Sequence, residues 1–365
     1  MNERRPIKKN NPQKPANSSK AKEGDVKKPS GKGKKATKWA ILSVLFIVLL
    51  IVVGCLTIYY ILYDGIPFVE RIEPYVRPAF PDEDDFSVDY DISTDENTVL
   101  KTPIFLEKPI DENIINILLV GCDSADGGSS RSDTMMMLSY DKRSGRIVLN
   151  SFLRDSFVPI KDHNWNRLNA TYTYGGVGLT INTINEVYGL DIQYFVSVDF
   201  EGFESIIDSI GGVTLTITEA EAKYLNKYSH AEVSAGEVKL DGATALEYAR
   251  IRTGIIASEG GDFNRTYRQR KVITSVINQA LNAENKEVLS LLKTCLNYVR
   301  TNLGAKTIID LASDFLDMNN FDITGYPIPA EGTWKYDEFG KMSIIKITDE
   351  GFDENIEILR QRIYG

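Results

Sequence analysis

The chain has 365 residues, with 42 Lys and Arg, 51 Asp and Glu and 2 His, and its formal net charge is −9. Residues 1–38 hold 13 basic and 3 acidic residues, about +10, and the rest of the chain holds 29 and 48, about −19. Between these regions, the 24 residues of 39–62 carry no charge, and about 20 apolar residues are enough to cross a bilayer. On sequence grounds a purely cytoplasmic enzyme is excluded.

The N-terminal part predicts a membrane anchor. Residues 1–38 are rich in Lys, Asn, Pro, Ser and Gly, which predicts a disordered basic tail and favours contact with anionic lipid over nucleic acid. The uncharged segment is too long for a cleaved signal peptide, so we expect a retained signal anchor over 39–62. Because the flanking basic residues precede it, the N-terminus is predicted to be cytoplasmic and the acidic part extracytoplasmic.

The remaining sequence divides into two parts. Residues 63–112 are acidic and contain several prolines, which predicts an extracytoplasmic stalk or a wrapping arm. Residues 113–365 alternate extended and helical patterns and predict one α/β/α sandwich with a central mixed β-sheet. We expect strands over 114–120, 134–140, 146–152, 194–198, 213–218 and 343–347, and helices over 179–188, 200–210, 241–248, 266–281, 288–299, 308–315 and 352–363.

Two carboxylates lie where neighbouring predicted strands end or begin. Asp123 follows the first buried strand and Asp133 precedes the second, and the loop between them is rich in Gly and Ser. Ligands of open α/β sheets bind beyond the carboxyl ends of strands, and Mg²⁺ is commonly held by one or two carboxylates together with phosphates. The alternative is that one carboxylate caps the turn while the other pairs with Arg131.

Arginines form the second pattern. Residues 246–271 hold six Lys and Arg against three Asp and Glu, within a strongly acidic region. Arg250 and Arg252 would share one face if the chain there is extended, whereas Arg265 and Gln269 would share a helical face. Arg154 directly follows the third predicted strand. Converging guanidinium groups beside a metal suggest a pyrophosphate site, and the alternative is a face of ordinary salt bridges.

Other chemistries have little support. The sequence contains no nucleophile elbow, P-loop, C-x-x-C or H-E-x-x-H motif, and its 2 His leave little material for a triad. Cys122 is more simply a small packing residue than a nucleophile, and with Cys295 it forms no disulfide framework. The acidic region also lacks the basic face of a DNA-binding protein.

Six segments occur in order between residues 114 and 285. They are NILLVGCD (116–123), RSDTM (131–135), SFLRD (151–155), LNATYTYGG (168–176), DSIGGV (208–213) and the stretch from Leu240 to Arg252 followed by Asp262 to Gln269. Together they resemble the LytR-CpsA-Psr proteins of bacterial cell envelopes. The resemblance implies a single-pass protein of a Gram-positive cell membrane, with its catalytic domain outside.

The resemblance implies a phosphotransferase that moves a glycopolymer, such as teichoic acid or capsule, from a polyprenyl-pyrophosphate carrier to a muramic acid hydroxyl of peptidoglycan. Asp123 and Asp133 would hold Mg²⁺ or Mn²⁺, and Asp262 would be the base for the acceptor hydroxyl or an orienter of arginines. The prenyl tail would lie in a tunnel between sheet and helices, beside the stripes 179–188, 200–210 and 266–281. The pyrophosphate would be bound by Arg154, Arg250, Arg252 and Arg265, with Arg131 and Gln269 close by.

Two departures from the family pattern concern the acceptor side. Arg167 stands where the family commonly has Lys, which keeps the charge and changes its geometry, and we include it among the expected phosphate-binding residues. Residues 253–261 are richer in small and apolar residues than the acidic loop that the family pattern leads us to expect. Two alternatives stay open, namely a non-catalytic regulator that binds polyprenyl phosphates and a lipid pyrophosphatase that uses water as acceptor.

Overall fold

The computed structural model describes residues 68–70, 75–81, 102–123, 132–253, 260–282, 294–295, 297–304, 306–308, 310–311, 314 and 321–365. All of these residues belong to one compact unit. Within them, no helix has both the length and the apolar composition needed to cross a membrane. The predicted tail and anchor of residues 1–62 lie outside the described residues, so the proposed topology stays a prediction.

The elements follow one another along the chain with few long loops between them. The strands are β1 (Phe68–Glu70), β2 (Ile104–Leu106), β3 (Ile114–Cys122), β4 (Ser132–Asp141), β5 (Arg146–Phe152), β6 (Phe157–Ile160), β7 (His163–Arg167), β8 (Tyr194–Val198), β9 (Val213–Ile217), β10 (Gly236–Leu240), β11 (Val299–Thr301), β12 (Asp322–Ile328), β13 (Trp334–Phe339) and β14 (Met342–Ile347). The helices are α1 (Ala170–Tyr188), α2 (Phe200–Ser209), α3 (Glu219–Tyr228), α4 (Gly242–Arg250), α5 (Gly260–Asn282) and α6 (Asp349–Tyr364).

The centre of the fold is a six-stranded sheet in the order β11-β8-β3-β4-β5-β12. Strand β3 pairs parallel with β8 and antiparallel with β4, and β5 pairs antiparallel with β4 and parallel with β12. The predicted mixed central sheet with helices is therefore confirmed. The turn at 142–145 joins β4 and β5 as a hairpin, in which Asp141 accepts hydrogen bonds from the backbone N–H and side chain of Arg143.

The sheet is buried on both faces. Consecutive residues of β4 point to opposite sides, so Met135 and Met137 pack into the cluster that contains α1 and α6, whereas Met136 packs beside Ile273 and Ile277 of α5. This alternation explains why three successive methionines are all buried. A second core, built from α2, the antiparallel pair of β9 and β10, α3 and α4, packs against Val272 of α5.

Parts of the segment predicted as a stalk or wrapping arm lie against the domain. Ile104 is fully buried in the main core, and β1 pairs parallel with β2. Phe80 contacts the rings of Phe157, Trp165 and Phe339 at centroid distances of 5.6, 5.2 and 5.8 Å. These described residues pack against the domain.

Several predicted elements differ from the structure at their ends. Helix α1 begins at Ala170, well before the predicted 179, and Gly175 and Gly176 interrupt its helical backbone, with Gly176 at φ 64°. Val299, predicted as the end of a helix, is the first residue of β11, and most of 288–298 and 308–315 lies outside the described residues. The sequence patterns gave no prediction of β1, β2, β6, β7, β10, β12, β13 or α3.

A buried ion pair joins α3 to α5. Arg268 and Glu221 have side chains that are 1% and 2% exposed, and Arg268 Nε donates to Glu221 Oε1 at 2.7 Å. The same guanidinium donates to the carbonyl oxygens of Ile251 and Thr253 at 2.8 and 2.7 Å. Glu221 also closes the capping box of α3 by accepting from the backbone N–H of Thr218. One pair therefore fixes α3, α5 and the segment after α4.

We expect Glu221→Gln to lower the free energy of unfolding by about 3 kcal/mol, because it leaves a buried guanidinium without its counter-charge. Burial raises the pKa of Glu221, but hydrogen bonds from Thr218 and Arg268 lower it by more, so the pKa is below its usual value. The stabilisation is thus present at neutral pH and lost as the pH falls through that lowered pKa.

Chemical unfolding of the purified protein at neutral and at acidic pH measures this effect. Glu219→Gln on the same helix is the matched control, because Glu219 forms only an exposed ion pair with Lys223. Equal losses of unfolding free energy in the two variants would show that the buried pair stabilises the protein no more than the exposed pair does.

Candidate active site

A β-bulge places Asp133 at the edge of the site. The register pairs Gly121 with Thr134 and Cys122 with Ser132, so Asp133 is the extra residue between two ladder partners. Bulges of this kind re-aim a side chain and commonly lie beside active sites. Asp123 follows the end of β3 on the neighbouring strand, and its side chain is exposed. The two predicted carboxylates therefore lie at the same end of the β3–β4 pair.

Arg154 lies on a segment held by backbone hydrogen bonds from three directions. Leu153 N–H donates to the Ile328 carbonyl, and the carbonyls of Arg154 and Asp155 accept from the N–H groups of Asn169 and Ile345, at distances from 2.8 to 3.1 Å. The Arg154 side chain donates from Nη1 to Asp133 Oδ1. Its Nε lies 3.6 Å from both Asp155 Oδ2 and Asp262 Oδ1. A rigid backbone thus aims this guanidinium at the carboxylates.

The first turns of α5 add a second carboxylate and arginine. Arg265 is 4% exposed, and its Nη2 lies 2.7 Å from Asp262 Oδ1 and donates to the Asp133 carbonyl at 3.1 Å. Its Nη1 lies 3.7 Å from Asp133 Oδ1. The spacing of three residues puts Asp262 and Arg265 on one helical face. Residues from β4, β5 and α5 therefore meet in one cluster of charges.

Burial shifts the pKa values of this cluster in opposite directions. Burial raises the pKa of Asp262, and Arg265 and Arg154 only partly oppose that rise. For Arg154, burial lowers the pKa, but Asp262 and Asp133 outweigh it, so the pKa is raised. Burial lowers the pKa of Arg265, which nevertheless keeps its proton, as arginines in proteins do. Asp262 is therefore a carboxylate poised to take up a proton next to fixed positive charge.

Buried polar atoms without a hydrogen-bond partner in the described structure collect at this place. They include Nε of Arg154 and of Arg265, both carboxylate oxygens of Asp262, and Oε1 of Gln269. The short contact between Asp262 and Arg265 is an ion pair that is poorly directed for a hydrogen bond. Buried polar groups are nearly always satisfied, so this concentration indicates a ligand. The arginine N–H groups suit phosphate oxygens, whereas the oxygens of Asp262 and Gln269 need a donor such as a hydroxyl group.

An apolar cavity of about 200 Å³ adjoins the charged cluster. It lies between the sheet and the helices α2, α4 and α5, and its lining includes Gly121 and Thr134 from the strand ends next to the two aspartates. Its polar lining residues include Gln269 of α5 and Arg250 of α4. The predicted tunnel stripes 200–210 and 266–281 both contribute, whereas 179–188 packs into the core on the other face of the sheet.

The arginines after α4 are arranged differently from the prediction. Arg250 is the last residue of α4, and Ile251 caps the helix in an extended conformation, so Arg250 and Arg252 do not lie on one extended strand face. Asp241 caps the start of this helix by accepting from the Thr244 N–H, and the helix extends to Arg250. The Arg250 guanidinium stacks on Phe200 at 4.2 Å from the ring centroid. Arg252 is exposed and lowers the pKa of Asp262 electrostatically, although burial dominates.

The remaining expected residues have separate positions. Arg167 ends β7, and its Nη1 lies 3.6 Å from Asp155 Oδ1, which also brings it beside Arg154. Arg131 and residues 254–259 lie outside the described residues. Cys122 is buried with its Sγ 3.7 Å from Ser197 Oγ, which agrees with a packing role.

Sequence reasoning missed two residues of the site's support. Asp155 bridges Arg154 and Arg167, and its place directly after Arg154 was the available signal. Arg268 holds the carbonyls of Ile251 and Thr253, on either side of Arg252, and only its spacing of three residues from Arg265 pointed toward the site. Neither role follows from local sequence, because both depend on contacts between distant elements.

A family model described as the LytR_cpsA_psr family matches residues 87–351. The chain belongs to the LytR-CpsA-Psr family. Among relatives, a protein of Oceanobacillus iheyensis named polyisoprenyl-teichoic acid–peptidoglycan teichoic acid transferase TagU is 32% identical over 240 residues, 62% of this chain and 72% of the relative. The regulatory protein MsrR of Staphylococcus aureus is 29% identical over 224 residues, 60% and 66% of the two chains.

Solved structures of the LytR-CpsA-Psr protein TagT share this fold. TagT bound to LI-WTA has a TM-score of 0.58, and TagT with bound octaprenyl pyrophosphate lipid has a TM-score of 0.55. Each is 22% identical and covers 71% of this chain and 94% of TagT. At this identity the likeness establishes the fold, and it agrees with the mixed sheet and flanking helices described above.

We expect Arg154→Gln to weaken the binding of inorganic pyrophosphate about tenfold to a hundredfold, since it removes a charge-assisted donor from the cluster. Isothermal titration calorimetry of the purified LytR-CpsA-Psr protein measures the dissociation constant. Arg143→Gln, which removes an arginine of the β4–β5 turn that pairs with Asp111 and Asp141, is the matched control. Unchanged affinity in Arg154→Gln would mean that Arg154 serves only its ion pairs.

Proposed function

We propose that this protein transfers a glycopolymer of the teichoic acid type from a polyprenyl-pyrophosphate carrier to peptidoglycan. The observation that carries the proposal is the cluster of Arg154, Arg265, Asp133 and Asp262, which adjoins an apolar cavity. A carrier lipid combines a pyrophosphate and a long apolar chain, and these two surfaces match its two parts. The names of the relatives TagU and TagT support the same class of substrate.

The arginines and Asp262 would have different roles in the reaction. The guanidinium groups of Arg154 and Arg265 would bind the phosphate oxygens and stabilise the charge that spreads over them during transfer. Asp262 would accept the proton of the acceptor hydroxyl, whose oxygen forms a new bond to the phosphorus next to the glycan. The bond from that phosphorus to the polyprenyl phosphate breaks, and polyprenyl phosphate leaves. The product is a phosphodiester between glycopolymer and peptidoglycan.

The donor set also fits a divalent cation such as Mg²⁺ or Mn²⁺. Arg154 and Arg265 approach the Asp133 carboxylate at the same oxygen, Oδ1, and Asp123 lies at the same strand ends. Among the described residues no three His, Cys, Asp or Glu side chains come together as a metal site. Asp123 and Asp133 would therefore hold a cation that also takes phosphate oxygens, as Mg²⁺ does. When bound, it would neutralise charge on the pyrophosphate.

The proposed location is the cell membrane, with residues 39–62 as the anchor and the transferase domain outside. The sequence supports it through the uncharged segment and the basic residues before it. A lipid carrier would then reach the apolar cavity from the same membrane that holds the enzyme. Peptidoglycan, the proposed acceptor, lies on that side as well.

The test of the function uses full-length protein in lipid vesicles, a labelled lipid-linked teichoic acid precursor and purified peptidoglycan. We expect covalent transfer and release of polyprenyl phosphate, both abolished by a chelator and restored by Mg²⁺. Arg154→Ala should lower the rate at least a hundredfold, because charge stabilisation of this kind contributes such factors. Thermal unfolding shows whether the variant stays folded.

Three outcomes separate the proposal from its alternatives. Binding of the precursor without any product supports a regulator, as the name of the relative MsrR would suggest. Release of free glycan phosphate without attachment supports a pyrophosphatase. Transfer that survives in Arg154→Ala would contradict the assignment of this cluster as the active site.

We expect the transfer rate to fall on the acid side as the pH drops through the raised pKa of Asp262, at a higher pH than for an ordinary aspartate. Asp262→Asn should lower the rate by about 10²–10⁴ and remove that acid limb, since a base contributes factors of this size. If Asp262 only orients the arginines, the residual activity of Asp262→Asn still falls on the acid side of the pH profile. Asp349→Asn, an exposed aspartate in the first turn of α6, is the control.

A further inference from the structure

Helix α5 has two different surfaces on opposite sides. Gln269, Ile273 and Val276 face the apolar cavity under the sheet. Tyr267, Thr274 and Asn278 lie about 150° away around the helix, at 100° per residue. The second surface borders two further cavities, of about 320 and 530 Å³, and both are lined by Tyr267 and Arg270. We call these two neighbouring cavities, which share Tyr267 and Arg270, the outer groove.

The outer groove begins at the residue that follows Asp262 on α5. Its smaller cavity is bounded by Phe263, the residue directly after Asp262, and by Arg362 of α6. Its larger cavity extends along α5 as far as Gln279, between β9 and Gly325 of β12. From Phe263 to Gln279 the helix rises about 24 Å at 1.5 Å per residue. The groove is therefore long enough to hold several sugar units.

The chemistry of the outer groove suits a polyhydroxylated anion. Arg270, Lys271 and Arg362 supply positive charge in a region of the chain that is strongly acidic overall, and Glu331 is the acidic residue in the lining. Tyr267, which is 37% exposed, offers an aromatic face. The larger cavity is also lined by hydroxyl and amide side chains, namely Thr274, Ser275, Asn278 and Gln279. The groove is much more polar than the cavity across the helix.

The edge of β9 that forms one wall is already closed to strand addition. Lys271 Nζ donates to the Thr216 carbonyl at 2.6 Å, and Ser275 Oγ donates to the Thr214 carbonyl at 2.9 Å. A peptide that adds as a strand would have to displace both side chains. Side-chain recognition of a sugar chain needs no such displacement.

We infer that the outer groove binds the acceptor, a carboxylate-bearing glycan strand, and leads it to the active site. This inference rests on the proposed transferase function. In phosphoryl transfer the attacking and leaving oxygens lie roughly in line on opposite sides of the phosphorus. The leaving polyprenyl phosphate occupies the apolar side of α5, so the acceptor arrives from the other side. The outer groove is the polar surface on that side that reaches the residue after Asp262.

The experiment measures initial transfer rates with full-length protein, varying lipid-linked donor and soluble peptidoglycan strands separately. The double variant Tyr267→Ser with Lys271→Gln should raise KM for the acceptor about tenfold, since two modest contacts are lost, and leave KM for the donor unchanged. Thr274→Glu, which adds a negative charge to the groove, should raise the same KM. The matched control, Tyr228→Ser with Lys223→Gln, changes an exposed tyrosine and lysine on α3.

Direct binding gives a readout that does not depend on turnover. Calorimetry with soluble, lipid-free peptidoglycan strands should show the same loss of affinity in both groove variants and none in the control. An unchanged acceptor KM in both variants, or a rise in the donor KM instead, overturns the inference while wild-type transfer leaves the proposed function intact. Absence of transfer in the wild type would instead count against the proposed function itself.

Discussion

The arrangement of this protein depends on the neutralisation of charges buried along one helix. Arg265 and Arg268 lie on α5 with almost no exposure and Asp262 with little, and an unpaired buried charge is strongly destabilising. Their partners come from separate elements, because Asp133 lies at the start of β4 and Glu221 lies on α3. Neutralising the helix therefore fixes the relative positions of the sheet, the second core and the active-site arginines.

The part of this charge network around Arg268 and the part around Asp262 differ in how many of their polar atoms have hydrogen-bond partners. Arg268 has hydrogen bonds to Glu221 and to two backbone carbonyls, so this half is structural. Around Asp262, several nitrogen and oxygen atoms have ion-pair neighbours but no hydrogen bonds among the described residues. A cluster that satisfied itself would gain little from a ligand. The incomplete half is thus the one suited to exchange its internal ion pairs for phosphate oxygens.

Sequence patterns predicted the parts of the fold that local physics determines. Residues 146–152 and 194–198 form strands with the predicted bounds, because their apolar runs end at turn residues. Asp133, Arg154, Asp262 and Arg265 were predicted together and do meet. The shared extended face of Arg250 and Arg252 was wrong because α4 continues to Arg250. The pair of Glu221 and Arg268, 47 residues apart, leaves no local pattern at all.

The polarity of α5 links these observations. A helix between a lipid chain and a sugar chain needs an apolar side and a polar side. Helix α5 has both, because one set of its residues lines the apolar cavity and another set lines the outer groove. A uniformly apolar helix would seal the domain but offer no route for a polar acceptor. The buried pairs of Arg265 and Arg268 hold the helix in one rotation. The same electrostatic anchoring that stabilises the fold therefore also keeps the two substrates on separate sides of the reacting phosphate.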